Sequence, residues 1–286
     1  MQYYPIKKSP IIDINNSAPP VFYKYTPVEF WLPSMLDGSS LKFTARNDFN
    51  DPFDSRSSAH INYNSNNIEE YLRNGIGELN SHTQIEINSL IENIMESKFQ
   101  FYENSPIEKD LDNTGILSLA SSWNNILLWS HYAMQHQGIC VGFNSKKDVF
   151  MSAQEVSYSV DFPIIIRPDD SSVTMLEKTF LRKSLCWKYE EEWRVLKPKW
   201  TNEEKEDFFE RNRSGRANRF MRSFDGPKIY KFDKKSIIEI TLGMSISEED
   251  ERKVIAAIKA ANVDIEVFKA SREKGKYEVK REKISI

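Results

Sequence analysis

The sequence predicts an α+β fold: one domain over residues 21–286, built on a central mixed or antiparallel sheet flanked by helices, behind a tail at residues 1–20. Three observations predict it. Short aromatic and β-branched runs recur along the chain, and stretches with three- and four-residue apolar spacing separate them. The 286 residues are 40% apolar and 28% charged, in the range of a chain that buries its own core. No internal repeat is visible, and with ten glycines there is neither G-x-G-x-x-G nor G-x-x-x-x-G-K-[ST], so Rossmann and P-loop readings lack their phosphate-binding turn.

Pro5, Pro10, Pro19 and Pro20 break any regular element in the tail. Val21 to Tyr25 reads as a first strand, Pro27 to Leu36 as a short helix, and Leu41 to Thr44 as a second strand. Asn47 to Asp54 is a turn-forming loop, with Phe49 and Phe53 as its expected anchors on the body. Residues 55–67 are rich in Ser and Asn and predict a mobile loop. Ile68 to Phe101 keeps helical periodicity in two segments, so a helical insertion is expected at about 57–101. Ile116–Leu119 and Gly138–Phe143 read as buried strands around a short helix at Asn124–Met134. Glu155–Val160 and Tyr189–Leu196 alternate like strands, and Met175–Lys183 looks helical. Asn202–Phe220 predicts a charged helix, and Lys228–Phe232 and Ile237–Leu242 predict strands. Ser247–Ala261 predicts a helix with Ser247 as N-cap and Asp250 three residues on, close to a capping box. Val263–Phe268 and Tyr277–Lys283 read as closing strands.

A net charge of −3, from 39 basic and 42 acidic residues, excludes a strongly polycationic protein but not a local basic groove. Arg211, Arg213, Arg216, Arg219 and Arg222 could meet a phosphate backbone; the acids from Glu203 to Glu210 make a solvated helix the plainer reading. Cys140 and Cys186 are too few for a disulfide framework and read as buried small hydrophobes in a reducing cytoplasm. No apolar run nears the ~20 residues that span a bilayer, and no leader sequence is apparent, so no membrane partner is expected.

Three constellations could carry chemistry. In Tyr189-Glu190-Glu191-Glu192-Trp193-Arg194, strand alternation puts Glu190, Glu192 and Arg194 on one face, with the carboxylates about 6.5–7 Å apart. That pair suits a reaction developing positive charge, or a substrate hydroxyl that must be held; the plainer reading is a solvated face with Arg194 as counter-ion. In Trp129-Ser130-His131-Tyr132, followed by His136, a histidine beside Ser and Tyr can bind a ribose or position a base. The plainer reading is an apolar helix with histidines at its rim. His131 and His136 are five apart, which misses the i, i+4 spacing of a helical zinc site, so no metal is expected. In the loop, Asn50, Asp51 or Asp54 could face a ligand, or the segment is simply an ordered turn.

Several motifs together resemble the bacterial domain-of-unknown-function 2971 family. They are Tyr23-Lys24-Tyr25; Leu41-x-Phe43 leading to Phe49-Asn50-Asp51-Pro52-Phe53-Asp54; Leu128-Trp129-Ser130-His131-Tyr132-Ala133; and His136-x-Gly138-Ile139-Cys140-Val141-x-Phe143. Lys183, Trp187-x-Tyr189-Glu190-x-Glu192-Trp193-Arg194 and Ile240-x-Leu242-Gly243 follow, so the resemblance spans roughly 22–270. The layout also resembles, more faintly, that of ADP-ribosyltransferases, though the Ser-Thr-Ser triplet is absent. That resemblance implies a split sheet and NAD as substrate, with no metal. It implies Glu192 as catalytic glutamate, Glu190 as accessory, Tyr23 or Lys24 holding the dinucleotide, and Ser130, His131 or Tyr132 lining the nicotinamide pocket. It further implies transfer of ADP-ribose to a protein or nucleic-acid acceptor by a cytoplasmic toxin or phage-defence effector with a cognate antitoxin or defence partner. Tyr25, Asn50, Asp51, Asp54, Trp129 and Arg194 complete the expected binding set, and His131 is expected to act with Glu190 and Glu192 in catalysis. The alternatives are a non-catalytic nucleotide- or protein-binding sensor or adaptor, and a metal-dependent nuclease built on Asp51, Asp54, Glu190 and Glu192.

Overall fold

The computed structural model describes residues 18–31, 39–61, 85–86, 88–89, 92, 111–167, 172–199 and 225–286. Most of the tail at 1–20, the helical pair at 68–101 and the charged helix at 202–220 lie outside these residues; 85, 86, 88, 89 and 92 are helical. Contacts group the chain into two compact units. One holds the described residues within Asp51–Lys109 and Ser157–Ser184, the other those within Ile14–Asn50, Asp110–Val156 and Leu185–Ile286.

Among the described residues, the larger unit is a mixed sheet of ten strands. In chain order these are β1 (Val21–Thr26), β2 (Ser40–Ala45), β4 (Gly115–Ala120), β5 (Ile139–Asn144), β6 (Gln154–Glu155), β10 (Glu192–Lys197), β11 (Lys228–Lys231), β12 (Ile237–Leu242), β13 (Glu266–Arg272) and β14 (Val279–Lys283). Its helices are α1 (Val28–Trp31), α2 (Ile126–Tyr132) and α4 (Glu248–Ala261). The spatial order is β11-β2-β4-β1-β5-β12-β13-β14, with β10 on β4 and β6 on β10. The α4 crossover makes β12 and β13 parallel, and all other pairs in this sheet are antiparallel. Ser247 caps α4: its Oγ accepts the Asp250 N–H at 3.1 Å and donates to the Asp250 carboxylate at 2.9 Å.

The smaller unit holds β3 (Ser58–Ile61) parallel to β8 (Ile164–Arg167), β7 (Ser157–Ser159) parallel to β9 (Arg182–Ser184), and α3 (Ser172–Phe180). Four sequence expectations change here and at its borders. Part of the expected mobile loop, Ser58–Ile61, is a strand, because β8 supplies the ladder that its polar sequence does not advertise. Glu155–Val160 is broken at Val156, whose N–H donates to the Glu192 carbonyl at 2.9 Å, so β6 and β7 pair with different partners. Phe53 is 70% exposed and anchors nothing, since the turn around it is held by its own N–H on the Asp51 carboxylate. Cys186 is exposed on a 3₁₀ turn; Cys140 alone is buried.

The large sheet buries both faces, as expected for a sheet this wide. Phe22, Leu117, Leu119, Val141, Phe143, Trp193, Val195, Ile240 and Leu242 belong to one core. Tyr23, Tyr25, Ala120, Cys140, Leu128, Trp129 and Ala133 form the second, beneath α2. No described helix is long and apolar enough to cross a membrane.

Candidate functional site

The sheet forks at β4. One edge of β4 is taken by β10 from Gly115 to Ala120. The other edge is divided: β2 pairs at Gly115 and Ile116, and β1 pairs only where Tyr23 meets Ala120. Between these pairs the Ser118 carbonyl accepts a hydrogen bond from the Lys24 ammonium at 3.1 Å, so a side chain supplies the donor that a neighbouring strand would have supplied. Lys24 is half-buried as a residue, but its ammonium lies deep. Desolvation pulls its pKa below the ordinary value, and the Glu192 charge opposes that shift.

Glu192 opens β10 and lies in register with Ala120, which is itself in register with Tyr23, so the three share the α2 face of the sheet. Arg194, two residues on, shares that face. Its Nε donates to Glu192 Oε1 at 2.7 Å and its Nη2 to Oε2 at 2.9 Å. Both side chains are buried, and the guanidinium lies 5.6 Å from the centre of the Phe49 ring. This two-point charge-assisted clamp fixes the carboxylate in position and plane.

Glu190 departs from the expectation. It ends a 3₁₀ turn, Leu185–Glu190, and Glu191 has a positive φ of 44°. The strand starts at Glu192, so Glu190 does not follow the alternation that carries Glu192 and Arg194. It is nonetheless buried, and the Tyr132 hydroxyl donates to its Oε1 at 2.8 Å. Tyr132 is delivered by the last turn of α2. Asn125 caps the start of that helix, its Oδ1 accepting the N–H groups of Leu127 and Leu128 at 3.0 and 3.2 Å. The Asn125 amide also donates to the Tyr189 carbonyl, tying α2 to the turn that carries Glu190.

Tyr25 lies under α2. Its hydroxyl donates to the Ser122 carbonyl at 2.9 Å and its ring meets Trp129 edge-on at 5.2 Å. Burial pushes its pKa up, as it does for Tyr23, which is also hydrogen-bonded to Glu239. Glu239 is in turn held by Arg281 at 2.6 Å. His131 is exposed, with its ring 6.2 Å from Tyr132 and 6.4 Å from Tyr189. Ser130 turns away to His136, Oγ to Nε2 at 3.4 Å, and His136 stacks on Trp129. His136 closes a run of three left-handed residues, Met134 to His136, and its pKa is lowered by desolvation and then by Arg272.

The structure thus joins Tyr132 to Glu190, Arg194 to Glu192, and Lys24 to the fork beside Glu192. It separates Lys24 from Tyr23 and Tyr25 by strand alternation, and Ser130 from Tyr132. Asn50 is exposed after Phe49. Asp51 and Asp54 belong to the smaller unit, where Asp54 is buried and paired with Lys183 at 3.3 Å. Among the described residues, no three His, Cys, Asp or Glu side chains gather where they could hold a metal ion. Asn125 and Glu239 were not singled out from sequence. An Asn just ahead of an apolar helix is a capping signal, and a lone acid inside Ile-Ile-Glu-Ile-Thr-Leu marks a charge carried into a core.

The fold and site define a mixed-sheet α+β protein with buried acid–base pairs under a short helix. Residues 128–195 match the family model DUF2971, described as a protein of unknown function, and the family resemblance holds over that span. The match runs from α2 into β10 and so contains Trp129, Ser130, His131, Tyr132, Glu190, Glu192 and Arg194. No curated protein and no solved structure matches the chain.

Proposed function

We propose that the protein is an ADP-ribosyltransferase-like enzyme that cleaves the nicotinamide–ribose bond of NAD and passes ADP-ribose to an acceptor, or to water as a glycohydrolase. The observation that carries this reading is the pair of buried carboxylates two residues apart with different partners: Glu190 on the Tyr132 hydroxyl, Glu192 in the Arg194 clamp. Two acids in unlike environments are the usual basis for dividing roles in glycosidic chemistry. Bond cleavage develops oxocarbenium charge on the ribose, and a fixed carboxylate stabilises that state more than the ground state.

The resemblance alone gives the main role to Glu192. The clamp supports a different division. Arg194 meets both oxygens of Glu192, which suits it to orientation. Glu190, held by a tyrosine hydroxyl, then faces the developing charge. Lys24 at the fork and the half-buried Tyr132 would serve the dinucleotide, whereas Trp129, fully buried in the core beneath α2, does not reach it. In this reading the enzyme acts in the cytoplasm as a toxin or phage-defence effector, restrained by an antitoxin or defence partner.

The clamp also favours a second reading, a non-catalytic sensor or adaptor that binds a nucleotide or a protein, because a carboxylate engaged at both oxygens is a structural tie. Calorimetric titration of NAD, paired with mass spectrometry for free nicotinamide, separates the two. The enzyme releases nicotinamide over time; the sensor binds and releases none.

A further inference from the structure

Charge is unevenly distributed along the chain. Residues 211–235 hold nine Lys or Arg and two Asp, a net +7, so the other 261 residues carry −10 of the total of −3. The acids lie just upstream, five of them against Lys205 within 203–210. The described end of the basic segment enters the sheet as β11, the terminal strand among the described residues.

Lys228 and Lys231 are exposed on that strand, and Lys42 is the cross-strand neighbour of Ile229. Lys235 follows, and the Lys147 ammonium donates to its carbonyl at 3.4 Å, bringing the exposed turn lysines Lys146 and Lys147 alongside. Two aspartates answer part of this charge: Asp48 lies 3.8 Å from Lys42 and Asp225 lies 2.7 Å from Lys228; Asp148 instead accepts the Asp233 N–H.

Behind this edge sits Lys197, the last residue of β10. It is 5% exposed, with its ammonium 4.9 Å from the centre of the Tyr230 ring and 5.5 Å from that of Phe43. Among the described residues its ammonium makes no hydrogen bond and no ion pair. Desolvation lowers its pKa, and Asp148 and Asp225 oppose this from a distance. The Lys228 ammonium shares the Tyr230 ring, 5.3 Å from its centre. A buried ammonium with only ring faces as partners keeps its charge at a cost, and an arriving anion would offset that cost.

We infer that the β11 edge binds the sugar–phosphate backbone of a nucleic acid, with one phosphate seated at the Lys197–Lys228 pair on Tyr230. Other partners fit this edge less well. Lysines along a terminal strand obstruct the addition of a peptide strand. A membrane-surface element needs an apolar face to bury, and Ile229 is the sole exposed large hydrophobic residue of the described β2–β11 pair. That the bound strand is the ADP-ribose acceptor rests on the function proposed above; that it binds does not.

The test is fluorescence anisotropy of the full chain with mixed-sequence single-stranded RNA, single-stranded DNA and duplex DNA, each across a salt series. At least one oligonucleotide binds, with affinity falling linearly in log salt by a slope of roughly 0.7 to 0.9 per phosphate contact. The double variant Lys228→Glu/Lys231→Glu weakens binding by roughly tenfold or more at low salt and makes the slope shallower, while nicotinamide release from NAD stays at the wild-type level. Lys197→Met keeps the aliphatic stem and also weakens binding; if it fails to fold, the surface variant decides. The inference is overturned by no binding to any oligonucleotide at low salt, by wild-type binding in the double variant, or by capture on phosphatidylserine vesicles with none on nucleic acid.

Discussion

Glu190 and Glu192 stand two residues apart, yet their surroundings follow different rules. From Glu192 onward the chain is a paired strand, and alternation sets Arg194 beside Glu192 so that the two close on each other. Before Glu191 the chain is a 3₁₀ turn, and the positive φ at Glu191 turns Glu190 out of that alternation, toward the end of α2. One carboxylate is fixed by an always-charged, two-point donor, the other by a neutral hydroxyl that can exchange its proton. The first arrangement holds its carboxylate in one plane. The second leaves the catalytic role proposed above to Glu190.

The largest break in this comparison is Arg194→Leu. It leaves Glu192 buried without its clamp, and the expected loss is about 3–5 kcal/mol, read as a lower denaturant midpoint. Arg194→Leu/Glu192→Leu recovers part of that loss, because the second substitution removes the buried carboxylate whose clamp the first one takes away. Tyr132→Phe is smaller. Removing one hydroxyl donor to a buried carboxylate costs about 1.5–3 kcal/mol and leaves the Arg194 side intact, so it lowers nicotinamide release more than it lowers the midpoint. The smallest effect is on pH dependence. His136 has a lowered pKa in the folded chain, so the unfolded chain binds a proton first as pH falls through about 6.5. Stability is therefore lost on acidification below that point, and His136→Gln flattens that part of a stability–pH curve.

The strands of the large sheet were legible because their sequences carry the pattern themselves. Val21–Thr26, Gly115–Ala120 and Ile139–Asn144 are apolar or aromatic at nearly every inward position, and Ser247 announces α4. Three short strands, Ser58–Ile61, Ile164–Arg167 and Arg182–Ser184, were not legible, the last lying where Met175–Lys183 reads as helix. Ser58–Ile61 exists because Ile164–Arg167 lies beside it more than a hundred residues away, and no local window contains that information. The site divides the same way. The acidic run, the tyrosine and the aromatic helix could be read from sequence, since charge and imidazole are rare inside an apolar stretch. The partner of each acid could not. A single left-handed residue at Glu191 decides that Glu190 meets Tyr132, and backbone sign is invisible in a Glu-Glu-Glu string. Lys24 was legible as a charge in a strand, but its position opposite Ser118 depends on β1 and β2 parting along β4.

The most direct measurement is nicotinamide released from NAD by the wild-type chain and by Glu190→Gln, followed by mass spectrometry over time. The account predicts steady release by the wild type and a loss of roughly a hundredfold or more in the variant, with the two chains unfolding at similar denaturant concentrations. Wild-type chain that binds NAD but never frees nicotinamide, or a Glu190→Gln chain that frees it at the wild-type rate, would contradict it.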